Sequence, residues 1–246
     1  MLSYNGSFRI STWTTNTVCI SKLPAEVREL YEGVSSYVTG FLTAKHPFRR
    51  GAVCPFVTAA LKRDMIHYSF IGSMDPAEVR TMTEESLQHY LELKAGSRDN
   101  FSAMVILLPR NFQTEWLLEV KEACKEACIA KFVMIGALYP ANPAPSLNHP
   151  DYRPLRTPSP VLVLRDLTPA DLLFLHPSRY NLRRKLSFLR AFIFRFKGRP
   201  SEAVREQVAR AEELTKGFQR RLWLDWFLRF ALVGAVSFGG WHAFFQ

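Results

Sequence analysis

Ser102-Ala-Met-Val-Ile-Leu-Leu108, Thr114-Glu-Trp-Leu-Leu-Glu-Val-Lys-Glu-Ala-Cys-Lys-Glu-Ala-Cys-Ile-Ala130 and Phe132-Val-Met-Ile-Gly-Ala-Leu138 follow one another closely and decide the fold class. The first is a continuous apolar run of strand length, the signature of a strand buried on both faces. The second carries apolar residues at helical spacing, and the third is again strand-like. Upstream, Met65-Ile-His-Tyr-Ser-Phe-Ile71 reads as a strand. Asp75-Pro-Ala-Glu78 reads as a helix start, with Asp75 as N-cap and Pro76 at the first helical position, in a helix running to about Leu93. Earlier still, Pro24 to Leu42 keeps helical spacing, and Pro55 to Arg63 suggests a short helix. Downstream, a proline-rich connection from Pro140 to Pro160 leads to the strand Val161-Leu-Val-Leu-Arg165, and Thr168-Pro-Ala-Asp171 opens another helix. These elements predict an α/β fold: a small mixed sheet of about four strands flanked by helices, then C-terminal helices including a transmembrane helix. The expected organisation is a polar segment (1–23), an α/β domain (24–176), a basic amphipathic helical region (177–221) and a transmembrane tail (222–246).

The tail drives the expectation about location. From Phe230 to Phe245, 16 residues carry no full charge, about 24 Å of helix against a hydrocarbon core of about 30 Å. Extension back to Leu222 gives a span of adequate length but includes Asp225 and Arg229, four apart and suited to pairing. Trp223, Trp226 and Trp241 lie near its ends, and Arg220-Arg221 would hold the upstream side in the cytoplasm. Ala231, Ala235, Gly239 and Ala243 recur every four residues, a stripe suited to self-association in lipid. The predicted location is the membrane, with the N-terminal domain in the cytoplasm. A hairpin helix buried against the domain is the alternative.

The net charge of +10 is concentrated in one block. No acid stands between Asp171 and Glu202, where Arg179, Arg183, Arg184, Lys185, Arg190, Arg195, Lys197 and Arg199 supply eight positive charges. Cations alternate there with Leu, Phe and Ile, as on a helix lying against anionic lipid. A docked helix with one solvated face is the competing reading, and proximity to the tail disfavours nucleic acid. At 48% hydrophobic and 22% charged, the chain can bury a core. Met1 to Cys19 has no apolar signal-peptide core. Four cysteines, Cys19, Cys54, Cys124 and Cys128, are too few for a disulfide scaffold and fit a reducing compartment. Cys124 and Cys128 share a helix face but have no second matching pair, so they read as small buried residues and no metal site is predicted.

Two polar motifs lie at loop junctions: His46-Pro-Phe-Arg-Arg-Gly-Ala-Val-Cys-Pro-Phe-Val57 and Asn148-His-Pro-Asp-Tyr-Arg-Pro-Leu-Arg-Thr-Pro-Ser-Pro160. Each sets an imidazole (His46, His149) in rigid proline backbone beside two arginines: Arg49 and Arg50 in the first, Arg153 and Arg156 in the second. Such groups can ligate a metal or haem and hold carboxylates. Cys54 precedes a helix start, where the dipole favours a thiolate. A pair of ordinary His-Pro turns is the alternative.

Cys54-Pro-Phe-Val57, the strand and helix succession, His149-Pro-Asp-Tyr-Arg-Pro-Leu-Arg-Thr-Pro-Ser-Pro160, Val163-Leu-Arg165 and Asp171-Leu-Leu-Phe-Leu175 together resemble a bacterial domain family of unknown function, over roughly residues 24 to 176. That resemblance implies a bacterial intracellular protein and no particular activity. The Cys-Pro-Phe element before a short helix, then alternating strand, long helix and apolar strand, is also similar to the YqcI/YcgG family of haem-containing N-oxygenases. This second resemblance implies haem as cofactor, His149 as axial ligand with His46 in reserve and Cys54 nearby, and hydroxylation of nitrogen on a small amino-acid-like substrate.

Walker A, G-x-G-x-x-G, G-x-S-x-G and H-E-x-x-H motifs are absent from the sequence, which disfavours nucleotide hydrolysis and zinc proteolysis. Two expectations of different class follow. One is a membrane-anchored protein that binds a ligand or partner through its arginine-rich loops, in its extreme form an effector whose tail self-associates. The other is a membrane-tethered haem N-oxygenase.

Overall fold

Among the described residues five strands form one sheet: β1 (Arg9–Thr14), β2 (Ile66–Ile71), β3 (Ala103–Leu107), β4 (Val133–Leu138) and β5 (Val161–Asp166), in the order β1-β2-β3-β5-β4. The computed structural model describes residues 9–95, 101–146 and 148–242, and within these the side chains from Thr12 to Phe227. β2 and β3 are parallel, β1 runs antiparallel to β2, and β5 runs antiparallel to both β3 and β4. The chain divides into two compact units, Met1–Asp166 and Leu167–Gln246.

In the first unit the helices are α1 (Ala25–Ser36), α2 (Pro55–Lys62), α3 (Pro76–Ala95) and α4 (Thr114–Ala130). The period-two alternation of β3 sorts them into layers. Met104 and Ile106 pack with Val79, Leu87 and Tyr90 of α3 and Leu117, Val120 and Cys124 of α4. Val105 and Leu107 join the opposite cluster, with Val27, Leu30 and Val34 of α1 and Ala60 of α2. A strand covered on both faces has no polar side to show, which is why its sequence is an uninterrupted apolar run.

The second unit holds a 3-10 helix (Pro169–Phe174), α5 (Leu182–Phe196) and α6 (Glu202–His242). The 3-10 helix begins with a capping box: the Thr168 amide donates to Asp171 Oδ2 at 2.7 Å. Asn181 caps α5 by accepting from the Arg184 amide at 2.8 Å. Leu186, Leu189, Phe192 and Phe196 form the buried stripe of α5, which packs along α6.

Three expectations are corrected here. The sheet has five strands, not about four, because β1 lies in the segment read as polar. The predicted transmembrane helix is replaced by α6, a 41-residue helix that begins in the charged sequence at Glu202, runs without a break through Arg220 and Arg221, and carries Asp225 inside the supposed span. No helix among the described residues is long and apolar enough to cross a membrane. The membrane location and its cytoplasmic orientation fall with that span. The apolar stripe of α5, read as facing lipid, is buried within its own unit. The side chains of Arg229, Ala231, Ala235, Gly239, Trp241 and Ala243 lie outside the described residues.

Candidate functional site

The last register pair between β4 and β5 is Leu138 with Val161, so the whole proline-rich connection is one long hairpin loop. It leaves the sheet at the end where β2 and β3 also finish, since Leu107 pairs with both Phe70 and Val161. The loop is ordered from within: the Ser146 amide donates to Tyr152 O at 2.7 Å, and Asn142 Oδ1 accepts from the Ala144 amide at 3.0 Å. Pro158 approaches α1 at Gly33, where an added Cβ would stand 3.4 Å from its Cγ.

This loop meets the turn that precedes α2, so the two His-Pro motifs, about a hundred residues apart in sequence, share one cluster. Phe48 stacks on His149 with centroids 3.7 Å apart and planes at 13°. Tyr152 meets His46 edge-on at 5.0 Å and Phe48 at 5.8 Å. Phe41 continues the chain of rings to Tyr37, 5.3 Å away, and the Tyr37 hydroxyl donates to Pro154 O at 2.5 Å. His46 is only 3% exposed. Burial lowers its pKa below the usual histidine value and the Arg49 guanidinium adds repulsion, so the ring is neutral at neutral pH. Burial also raises the Tyr37 phenol, with neighbouring Cys54 and Tyr152 opposing its ionisation.

The arginines divide into two roles. Arg49 folds back on its own turn, donating to Arg50 O at 2.9 Å, Ala52 O at 2.7 Å and Val53 O at 2.9 Å. It therefore staples the turn. Arg50 is exposed, with its carbonyl held by Arg49. Arg153 and Arg156 instead line a cavity of about 430 Å³ together with Ser36, Tyr37, Gly40 and Phe41. Arg153 is fixed by a hydrogen bond to Pro150 O, and Arg156 by Nε donation to Asn142 O at 3.2 Å. Their remaining donors have no carboxylate partner among the described residues. The opposite wall is a π-helical turn, Tyr37–Phe41, that widens the end of α1. Such turns recur at functional sites. At Gly40 an added Cβ would meet nothing within 4 Å, so the missing side chain leaves that wall open.

Haem, implied by one resemblance, does not fit the two imidazoles. His46 Nδ1 accepts from the Phe48 amide at 3.0 Å, and His149 Nδ1 accepts from the Asp151 amide at 3.2 Å. With Nδ1 accepting, each ring carries a proton on Nε2 and has no lone pair there for iron. A ligating histidine does the reverse, donating from its second nitrogen. Cys54 stands at the N-cap of α2 without a side-chain capping bond, half-buried near Tyr37. No group of three or more His, Cys, Asp or Glu suited to a metal ion occurs among the described residues.

Sequence reasoning missed Tyr37, Gly40 and Phe41. The one available signal was a glycine inside an otherwise helical pattern. In the second unit, Arg184 lies over the Tyr180 ring at 4.3 Å and Lys185 over Phe218 at 5.3 Å, so both contact aromatic rings of the protein itself. Arg183, Trp223 and Trp226 line a separate groove between α5 and α6.

No curated protein and no solved structure matches the chain. A family model does, described as "Domain of unknown function (DUF6875)" and matched over residues 31–207, which includes both His-Pro motifs, the cavity and α5. Since the match takes in well over half of the sequence, the chain belongs to this family of domains of unknown function.

Proposed function

We propose that the unit Met1–Asp166 is a binding module for a small organic anion, a phosphate or carboxylate on a planar or apolar body, held in the cavity between the π turn and the hairpin loop. The observation that carries this reading is the pair Arg153 and Arg156, each anchored through one backbone carbonyl and offering its other donors to the same 430 Å³ space. Two guanidiniums without a neutralising acid favour an anion, and their planar forks suit the paired oxygens of carboxylate and phosphate. Tyr37 and Phe41 supply the apolar wall against which the body of the ligand rests. The volume falls within the range of about 300 to 1,000 Å³ usual for small-molecule sites.

The N-oxygenase reading has one supporting observation, the meeting of His46 and His149 in one cluster, and the occupied Nδ1 atoms weigh against it. Thermal-shift assays with phenyl phosphate, benzoate and benzyl alcohol test the binding reading. Stabilisation by either anion but not by the neutral alcohol is expected. Equal response to all three, or none, would overturn it, and a Soret band on haem addition would restore the alternative.

A further inference from the structure

We propose that the groove between the start of α5 and the middle of α6 is a self-association surface, whose occupant is the same surface of a second copy of this chain. Its floor is apolar: Leu182 and Leu186 on one wall, Leu222, Trp223 and Trp226 on the other, around a volume of about 1140 Å³. That exceeds the usual size of a small-molecule pocket and suits a helix laid in a groove. The apolar residues of α6 are not confined to the wall facing α5. Trp223 is 68% exposed, Leu224 59% and Phe227 58%, so large side chains point in several directions from one stretch of helix. A helix apolar on most sides is ordinarily covered. The 15 residues of α5 flank only part of the 41-residue α6, so α5 cannot supply the cover beyond this groove.

Charge argues for a second copy over a foreign partner. Arg183 and Arg190 stand on the α5 wall and Asp225 on the α6 wall, and none of the three has a partner among the described residues. A surface bearing both signs on opposite walls is self-complementary. In a two-fold contact, Asp225 of one copy is set against the α5 cations of the other, and each copy repeats the arrangement. The same packing lays Trp223 and Trp226 of each copy into the other's groove.

Sedimentation equilibrium on the full chain tests this, with circular dichroism confirming that each variant keeps its helices. Wild type is expected as a dimer. Trp223→Ser/Trp226→Ser is expected to weaken association about tenfold or more, as loss of buried aromatic anchors does. Asp225→Arg alone is expected to weaken it, and Asp225→Arg/Arg190→Asp to recover part of the loss. Recovery by the second change is the signature of an isologous contact, since a merely destabilised helix would not regain it. A monomer at all concentrations, an open-ended aggregate, association indifferent to these changes, or a monomer that instead sediments with lipid vesicles would each overturn the proposal.

Discussion

Cys124 and Cys128 illustrate how burial, not spacing, decides what a residue can do. Both thiols are buried against α3 and their pKa values are pushed up to about 12, chiefly by loss of solvation. A thiol held protonated is a poor nucleophile toward disulfides. Titration with a thiol-reactive disulfide reagent near pH 8 should therefore modify Cys19 and Cys54 in the native protein and reach Cys124 and Cys128 only after unfolding; four fast equivalents would contradict this. His46 makes the complementary case. Its folded pKa lies below the unfolded value of 6.5, so between the two values the unfolded chain binds more protons. The stability it contributes is complete above the unfolded pKa and is lost as pH falls through that value toward the folded one. His67 and His176 shift in the same direction, also through burial. Melting temperature should thus decline on acidification from about pH 7 to about pH 5, and His46→Gln should lose part of that decline. A His46 titration midpoint above 6.5 by NMR would contradict the assignment, as would a neutral ring protonated on Nδ1.

At the scale of the element, the π turn and the two loops around it give separable predictions. Gly40 borders the cavity and a side chain there meets no obstacle, so Gly40→Leu should block ligand binding while leaving stability equal or raised by up to about 1 kcal/mol, since leucine is the better helix former. A variant that still binds normally would remove the π turn from the site. Arg49→Gln has the opposite profile. It releases three backbone carbonyls at once and should destabilise the first unit by about 1 to 3 kcal/mol in denaturant unfolding. Binding at saturation would be affected less than by changes at Arg153 or Arg156. The same scale shows what the sequence could reveal. β3 and α4 were plain because one strand is covered on both faces and one helix has a continuous buried stripe. β1 was not: its pairing with β2 shifts register between Ile10 and Trp13, and such an irregularity breaks the alternation that marks a strand. The two arginine pairs looked equivalent as motifs, and only the folded turn separates the staple Arg49 from the cavity-lining Arg153 and Arg156.

For the whole molecule, the sequence identified the strand and helix succession from Met65 to Leu138 but misjudged the C-terminal end. An apolar stretch after Leu222 resembled a span when read alone. Read with the 20 residues before it, it is the continuation of one long helix that starts in charged sequence and packs with α5. The meeting of His46 with His149 depends on where a 22-residue hairpin loop folds back, which no local periodicity encodes. The proposed binding site stands or falls on Arg153 and Arg156 holding an anion jointly. Calorimetric titration of phenyl phosphate into wild type, each single Gln variant and Arg153→Gln/Arg156→Gln tests it most directly. Saturable binding is expected for wild type, with a loss of about tenfold or more in each single variant and no detectable binding in the double variant. Undiminished binding by the double variant, or no binding by wild type, would contradict it.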